Sequence, residues 1–235
     1  LTPTAGLEPL AVLPALRDPD LPPVAPSRKR NTKNELGTVF LTGSTGFLGG
    51  AILEKLLALT GSSVICLVRA PQNNAEAAAE RLVAGMRRRG TPLLDDSRVT
   101  VLPGALDAPL FGLSEHVFAE TAAKTDTIIH CGAGVQYAQP YTALAPVNVG
   151  GTLTALRLAF ADGEPARFIH VSTAAVMFGV EGDVSDGTPL EHGGMVGGGY
   201  AQSKWVAERV LRKAADRGLP LTIFRPGTVA GDSRT

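Results

Sequence analysis

The chain has 235 residues, which is enough for one domain with a well-buried sheet and short for two complete ones. Its 22 basic and 22 acidic side chains cancel, so no overall charge draws it to nucleic acid or to an anionic membrane surface. The apolar runs are strand-sized and the N-terminus has no signal-peptide pattern, so we expect a cytoplasmic protein without a membrane span.

The cysteines and histidines show no spacing typical of a metal site or a redox motif, so no metal ion is expected. Cys66 and Cys131 each lie in an apolar, strand-like run, which predicts reduced residues of the core. The histidines are scattered along the chain. Structural roles are predicted for His116, His130, His170 and His192.

Residues 1–36 contain many of the prolines and have little hydrophobic periodicity, which predicts a linker or an extension on the surface. A basic cluster, Arg28-Lys29-Arg30 with Lys33, could be a nucleic-acid or targeting signal. A short charged run of this kind is more typical of solvated chain. The predicted domain therefore covers residues 37–235.

From Thr38 onward, short apolar runs alternate with helical patterns, which is typical of βαβ units around a parallel sheet. The strands are almost continuously apolar, as expected when helices cover both faces of the sheet. The predicted fold is α/β, a doubly wound parallel sheet. Strands are predicted at residues 39–41, 64–68, 99–102, 127–130, 168–172 and 221–225, and helices at 48–59, 75–89, 144–160 and 200–217.

A glycine-rich turn, with Gly43, Gly46 and Gly49, joins the first strand to the first helix. Backbone N–H groups and the positive end of the helix dipole at such a turn can hold a pyrophosphate. The Gly-x-x-Gly-x-x-Gly spacing differs from the Gly-x-Gly-x-x-Gly of many dehydrogenases, and a tight structural turn is the alternative. The strand-turn-helix context favours a dinucleotide site.

The second strand ends in a basic residue, Arg69. In NAD-binding domains an acidic residue at this point bonds the ribose hydroxyls, whereas an arginine suits the 2′-phosphate of NADP. No carboxylate follows until Glu76, so the sequence favours NADP(H), with Arg81 on the next helix as a second phosphate ligand. Alternatively, Arg69 only ends a strand in water and Arg81 is a surface charge.

A candidate acid/base pair lies further along the chain, where Tyr200 and Lys204 share one face of a predicted helix. We expect the Lys204 ammonium to lower the pKa of the Tyr200 phenol. The fifth strand runs into Ser172 and Thr173, and hydroxyls at that end of a parallel strand lie where doubly wound folds bind ligands. Thr173 is favoured as the group that polarises a carbonyl. Alternatively, Tyr200 and Lys204 are surface residues of an amphipathic helix, and Thr173 only forms a turn.

Taken in order, these motifs resemble the extended short-chain dehydrogenases/reductases, which have a Rossmann-type fold. Longer stretches between Thr38 and Thr235 narrow the resemblance to thioester reductase domains. These are the terminal reductive-release domains of nonribosomal peptide and polyketide synthetases, related to carboxylic acid and aminoadipate reductases. The stretches are Phe40 to Gly49, Cys66 to Ala70, Pro140-Tyr141, Asn148-Val149, Gly151-Thr152, Ser203-Lys204-Trp205 and Phe224 to Gly227.

The resemblance implies that NADPH reduces an acyl or peptidyl thioester on a phosphopantetheine arm, releasing an aldehyde or, after a second reduction, an alcohol. Thr173 and Tyr200 would hydrogen-bond the carbonyl oxygen, and Lys204 would hold the nicotinamide ribose. Asn148 would be a supporting residue. The implied cofactor residues are Gly43, Thr45, Gly46, Phe47, Leu48, Gly49, Arg69, Arg81, Leu106, Gly132, Ala133, Gly134, Tyr200, Lys204, Pro226, Gly227 and Thr228.

The resemblance also implies a partner, an upstream carrier domain, because the proline-rich start is similar to the linker that joins a carrier to its reductase. Two departures matter. The family's Gly-Asp-Leu after the third strand reads Gly104-Ala105-Leu106, which removes an acidic contact near the adenine and leaves the backbone of Leu106. Family members also continue into a smaller substrate-channel part, so we expect a C-terminally truncated piece of a larger synthetase.

Two alternative functions remain at this point. One is a nucleotide-sugar epimerase or dehydratase, which uses a similar Tyr/Lys pair but usually holds NAD and has an acidic second-strand end. The other is an NADP-binding fragment without catalytic activity. Arg69 argues against the sugar enzyme.

Overall fold

A computed structural model describes residues 36–91, 97–180, 182–185, 187–188, 190 and 196–231. One sheet contains β1 Val39–Thr42, β2 Val64–Val68, β3 Val99–Pro103, β4 Thr127–His130, β5 Arg167–Val171 and β6 Leu221–Phe224. The α-helices are α1 Phe47–Leu59, α2 Ala75–Arg88, α3 Glu115–Lys124, α4 Tyr141–Ala145, α5 Gly151–Phe160 and α6 Gly199–Ala215. A π-helical turn, Pro146–Gly150, joins α4 to α5, and short 3-10 turns occur at Pro71–Asn73, Pro109–Gly112 and Ala174–Met177.

Every strand pair in the sheet is parallel, and the strand order is β3-β2-β1-β4-β5-β6. The chain builds the sheet outward from β1 in one direction, then returns to β4 and continues in the other. The carboxyl ends of β1 and β4 therefore flank a topological switch point, which is where doubly wound sheets bind ligands.

The two faces of the sheet carry separate hydrophobic cores. Val39 and Leu41 of β1 pack with α1 and α2, whereas Phe40 packs on the opposite face with α3, α5 and α6. Successive strand residues point to opposite faces, so a strand buried on both sides must be apolar throughout. The predicted doubly wound, Rossmann-type fold is confirmed.

The predicted strands and helices agree with the observed ones to within a few residues, with two differences. Helix α3, whose N-cap Ser114 accepts a hydrogen bond from Val117 N–H at 3.3 Å, is short and is not predicted from the sequence. Few of its residues are buried, so its apolar pattern is weak. The helix predicted from Leu144 begins earlier, at Tyr141, and contains the π-helical turn at Pro146, whose ring nitrogen has no N–H for the helical ladder.

Among the described residues, the segment Tyr141–Phe160 is long and apolar enough to cross a membrane by length and composition alone. It is longer than the strand-sized apolar runs expected from the sequence. Most of it is buried, and it packs against α6 and the sheet, so its apolar character is that of a core helix. His192 and residues 1–35 of the predicted linker lie outside the described residues.

Candidate active site

The glycine-rich turn after β1 has a backbone path that excludes side chains at two positions. Gly43 has a φ of +79°, and a Cβ atom there would lie 2.7 Å from the backbone nitrogen of Gly132. A Cβ atom on Gly49 would collide with the carbonyl oxygen of Gly43. The N–H of Gly46 donates to that same oxygen at 2.9 Å. The turn therefore holds the start of α1 close to the ends of β1 and β4.

Helix α1 begins at this turn without a side-chain cap, because its N-cap residue is Gly46. N–H groups at a helix N-terminus need an acceptor, and together with the helix dipole they favour an anion. Thr45, Phe47 and Leu48, which are predicted pyrophosphate residues, lie around this helix end. The segment is therefore a tight structural turn, which was the alternative interpretation, and it can also receive a pyrophosphate.

A second glycine segment, Gly132-Ala133-Gly134, follows β4. The N–H of Gly132 donates to Thr42 Oγ1 at 2.9 Å, and a Cβ atom on Gly132 would lie 2.9 Å from Leu106 Cδ1. Gly134 exchanges two hydrogen bonds with the Asn148 side chain, at 2.7 and 3.1 Å. Hydrogen bonds within the protein therefore fix this segment to β1 on one side and to the π-helical turn on the other.

Two arginines meet at the end of β2. Arg69 directly follows the strand and is exposed, and Arg81 of α2 donates from Nη1 to the Arg69 carbonyl oxygen at 3.0 Å. A guanidinium has five N–H donors in a planar fork that matches phosphate oxygens. The first acidic residue beyond β2 is Glu76, in the first turn of α2. This arrangement suits a phosphate group better than a ribose hydroxyl.

Two hydroxyl groups follow β5. Thr173 Oγ1 accepts a hydrogen bond from Ala175 N–H at 3.2 Å and so caps a 3-10 turn. That bond uses a lone pair and leaves the Thr173 hydroxyl proton for another group. Ser172 Oγ is buried and has no hydrogen-bond partner among the residues that the structure describes. Buried hydroxyls usually have a hydrogen-bond partner, so Ser172 Oγ can bond a polar group that comes within reach.

Helix α6 places Tyr200 in its first turn and Lys204 one turn later. Lys204 is only 2% exposed, and its ammonium donates to the Val171 carbonyl oxygen at 2.7 Å and to His170 Nε2 at 3.2 Å. The Tyr200 ring packs edge-on against Tyr137, with ring centroids 5.3 Å apart. The ammonium is therefore anchored to the end of β5, one turn of α6 after Tyr200.

The expected lowering of the Tyr200 pKa by Lys204 is wrong. Burial raises the pKa of the Tyr200 phenol above its usual value, and Tyr137 and Cys131 raise it further. Burial also lowers the pKa of Lys204 to about 8, an effect that Cys131 and Glu208 oppose. At neutral pH the pair is a protonated phenol and an ammonium. Both groups donate hydrogen bonds, which suits an oxygen that gains negative charge.

A chain of hydrogen bonds supports Tyr200 from behind. Asn148 Nδ2 donates to Ser203 Oγ at 2.8 Å, and Ser203 Oγ donates to the Tyr200 carbonyl oxygen at 2.7 Å. Because Asn148 also bonds Gly134, its side chain joins α6 to the glycine segment after β4. Asn148 therefore lies where a supporting residue is expected.

A buried ion pair holds the segment after β6. Arg225 donates from Nε and Nη2 to the carboxylate of Glu208 on α6, at distances between 2.7 and 3.1 Å, and Glu208 is fully buried. Such a two-pronged contact fixes orientation as well as distance. The pair fixes Arg225 to α6, and the Pro226 carbonyl oxygen accepts from Ala174 N–H at 2.9 Å, which holds the start of the next segment beside the end of β5. Arg225 belongs to the Phe224 to Gly227 stretch, whose sequence alone does not predict this ion pair.

The predicted catalytic and cofactor residues all line one cleft of about 760 Å³, a volume within the range of ligand sites. A dinucleotide fits the features described above: the side-chain-free turn, the arginine pair and the unpartnered hydroxyl of Ser172. The predicted residues that the structure brings together are Gly43, Thr45, Gly46, Phe47, Leu48, Gly49, Arg69, Arg81, Leu106, Gly132, Ala133, Gly134, Thr173, Tyr200, Lys204, Pro226, Gly227 and Thr228.

Other lining residues were not predicted as site residues. Cys131 is expected in the core but is half-buried in the wall of the cleft, while Cys66 is buried as predicted. Asp107 brings a carboxylate to the cleft just after Leu106, and Tyr137 contributes an aromatic ring. Each of them lies within a few residues of a predicted site residue, and this closeness in sequence is the only feature from which they could have been predicted.

A protein family described as "Male sterility protein", with an NAD-binding domain, matches residues 41–235. The chain belongs to this family. The isonitrile lipopeptide synthase of Streptomyces coeruleorubidus is 36% identical over 231 residues, which are 98% of this chain and 15% of that protein. The L-2-aminoadipate reductase large subunit of Penicillium chrysogenum is 37% identical, with 92% of this chain and 16% of that protein covered. The chain thus spans about a sixth of these relatives.

Solved structures give the same result. The terminal R domain of the myxalamid PKS-NRPS pathway is 38% identical with a TM-score of 0.79, and the match covers 86% of this chain and 51% of that one. The dehydratase DesIV of Streptomyces venezuelae, solved with NAD bound, is 26% identical with a TM-score of 0.59, covering 80% and 54%. The resemblance to synthetase reductase domains is confirmed, and the sugar-nucleotide enzyme is the less similar neighbour.

Proposed function

We propose that this chain is the cofactor-binding and catalytic part of an NADPH-dependent thioester reductase. Its reaction would reduce an acyl or peptidyl thioester on a carrier protein and release an aldehyde. One observation carries this proposal: Thr173, Tyr200 and Lys204 line the same cleft as the glycine turn and the two arginines. Hydrogen-bond donors for a carbonyl oxygen are therefore next to a site for a dinucleotide.

The arginine pair supports NADP(H) over NAD(H). Arg69 and Arg81 would hold the 2′-phosphate, and the turn from Gly43 to Gly49 would hold the pyrophosphate. The unpartnered Ser172 hydroxyl and the Pro226–Thr228 segment lie at the nicotinamide end in this assignment. When bound, the cofactor supplies a hydride. The side chains of this protein would bind the carbonyl oxygen and supply the proton.

The substrate carbonyl oxygen would accept hydrogen bonds from the Tyr200 phenol and the Thr173 hydroxyl. Hydride addition to the thioester carbon places negative charge on this oxygen, so the donors stabilise what forms in the transition state. Tyr200, whose pKa is raised, would then supply the proton that completes a hemithioacetal. Breaking the C–S bond of the hemithioacetal gives the aldehyde and returns the thiol of the carrier arm.

The proposed partner is a carrier domain that presents the thioester on phosphopantetheine. A thiolation-reductase di-domain from an archaeal nonribosomal peptide synthetase supports it, being 26% identical with a TM-score of 0.63 over 82% of this chain. The proline-rich residues 1–36 are the proposed connection between the two domains.

The test offers an acyl-pantetheine or acyl-carrier thioester with NADPH to this chain and to any longer natural chain that contains it. We expect NADPH absorbance to fall in step with aldehyde formation. NADPH binding without oxidation in both chains would identify a non-catalytic NADP-binding protein. NAD that stays bound through purification, with no thioester reduction, would support the sugar-nucleotide alternative.

A further inference from the structure

A buried imidazole contacts the ammonium of Lys204. His170, the fourth residue of β5, is fully buried, and burial lowers its pKa well below the usual value, so the ring is neutral. Its Nε2 atom lies 3.2 Å from Lys204 Nζ. An ammonium can only donate hydrogen bonds, so Nε2 must accept and the ring proton lies on Nδ1.

This arrangement leaves His170 with an unfavourable feature. Its Nδ1 atom is buried and has no hydrogen-bond partner among the described residues. An N–H group buried without an acceptor reduces stability, whereas an apolar side chain in the same place would not. Phe168, two residues earlier on the same face of β5, shows that this face accepts an apolar ring.

The neighbouring histidine has no such feature. His130 is paired with His170 in the β4–β5 register, and the two rings stack with centroids 5.5 Å apart. Thr152 gives its only hydroxyl proton to the Asn148 carbonyl oxygen, so at 3.2 Å it accepts from His130 Nε2–H. Nδ1 of His130 then accepts from Thr42 at 3.0 Å. His130 is a fully bonded structural residue, as predicted.

We propose that His170 is a positioning residue, which holds the Lys204 ammonium in place for the cofactor and Tyr200. His170 Nε2 and the Val171 carbonyl oxygen occupy two of the three N–H groups of the ammonium and leave one for a ligand. Because both acceptors are neutral, the positive charge is kept for the ligand rather than cancelled. This inference rests on the role proposed above for Tyr200 and Lys204.

The other ionisable groups near Lys204 do not replace this contact. Cys131 and His130 lie on the side of β4, and Tyr200 and Glu208 lie one turn away on α6. The Glu208 carboxylate is bonded to Arg225. In the described part of the chain, the recorded hydrogen-bond acceptors of the ammonium are therefore His170 and Val171.

The test compares His170→Gln with His170→Met, which have similar shapes but differ in whether they offer an oxygen acceptor. The side-chain NMR signal of Lys204 is followed against pH in the protein without cofactor. Wild type should titrate near pH 8. His170→Met should titrate about one to two pH units lower, because a hydrogen bond to a charged group is lost, and His170→Gln should stay close to wild type. Equal titration of the two variants would overturn the proposal.

The same pair is then assayed for thioester reduction against pH. We expect kcat/KM of His170→Met to decline at a lower pH than wild type and to be about two- to tenfold lower at neutral pH, with no loss of thermal stability. His130→Met is the control for removal of a buried imidazole, and it should lose stability without moving the pH of the decline. A His170→Met variant that behaved like this control would overturn the proposal.

Two further readouts separate the possible failures. Ring ¹⁵N spectra of wild type should show His170 with an unprotonated Nε2 between pH 6 and 8, and a proton on Nε2 would refute the inference even if no variant folds. If wild type reduces no thioester while Lys204 titrates as expected in both variants, the proposed function fails and the contact between His170 and Lys204 stands.

Discussion

The two sides of the cleft are built from different chemical material. The phosphate side comprises the turn after β1 and the arginine pair at the end of β2, and it offers backbone N–H groups and exposed guanidinium groups. The reaction side comprises the ends of β4 and β5 with α6. It offers buried polar side chains that are hydrogen-bonded to one another.

This difference predicts opposite sensitivities to substitution. The glycine turn of the phosphate side works because side chains are missing there, so an added methyl group should damage it. The reaction side works because each buried polar group has a particular partner, so a removed atom should damage it. Substitutions on the two sides should therefore separate cofactor affinity from turnover.

Removing the Tyr200 hydroxyl is expected to have the largest effect. Tyr200→Phe should lower kcat for thioester reduction by about 10²- to 10⁴-fold, the usual contribution of a positioned acid, with NADPH affinity within about threefold of wild type. Tyr141→Phe is the matched control, because Tyr141 is a buried phenol on α4 that does not line the cleft. Steady-state kinetics and NADPH titration measure both quantities. Retained turnover in Tyr200→Phe would refute the role given to Tyr200.

Adding one carbon on the phosphate side should have the opposite signature. In Gly49→Ala the new Cβ atom meets the Gly43 carbonyl oxygen, and overpacking of this kind costs about 1–3 kcal/mol. We expect NADPH binding to weaken by about 10- to 100-fold. Gly61→Ala is the control, because a Cβ atom there meets nothing within 4 Å. If both alanine variants bound NADPH equally well, the turn would not be the pyrophosphate site.

The sequence predicts the residues of the phosphate side better than the contacts of the reaction side, for a physical reason. Gly43 and Gly49 can be predicted because a site built from backbone groups requires glycines at a fixed spacing between one strand and one helix. Arg69 can be predicted because it directly follows a strand. The contact between His170 and Lys204 joins residues 34 positions apart, and the bond between Asn148 and Ser203 joins residues 55 apart. Such pairs follow from helix and strand packing, which no local pattern encodes.

Two sequence-based predictions are wrong for the same physical reason. The raised pKa of Tyr200 depends on burial and on Tyr137 and Cys131, and neither is visible in the spacing of Tyr200 and Lys204. Cys131 follows an apolar strand and so looks like a core residue, but it lies just past the point where β4 ends at the cleft. Each strand could be predicted, whereas the burial and the long-range contacts of side chains at the strand ends could not.

A smaller effect tests the phosphate side through specificity. Arg69→Ala should weaken NADPH binding by about tenfold or more, as for loss of hydrogen bonds to a charged group, while NADH binding changes little. Arg87→Ala removes an exposed arginine of α2 that does not line the cleft, and it should leave the NADPH/NADH ratio unchanged. Competition titrations with both nucleotides give this ratio. Equal weakening of both nucleotides by Arg69→Ala would contradict the 2′-phosphate assignment.

The last effect concerns acid stability and belongs to the reaction side. Burial lowers the pKa of His130 from 6.5 to about 3, so between these values the unfolded chain binds a proton that the folded chain does not. The contribution to the free energy of unfolding is fully present above pH 6.5 and declines as the pH falls, by about 1.4 kcal/mol per pH unit. His170 acts in the same direction. Urea unfolding between pH 7 and 5 should therefore show a shallower dependence on pH in His130→Gln, which has no proton to gain, than in wild type. Equal slopes would mean that His130 takes up its proton without unfolding the reaction side, and the close burial described for it would then be wrong.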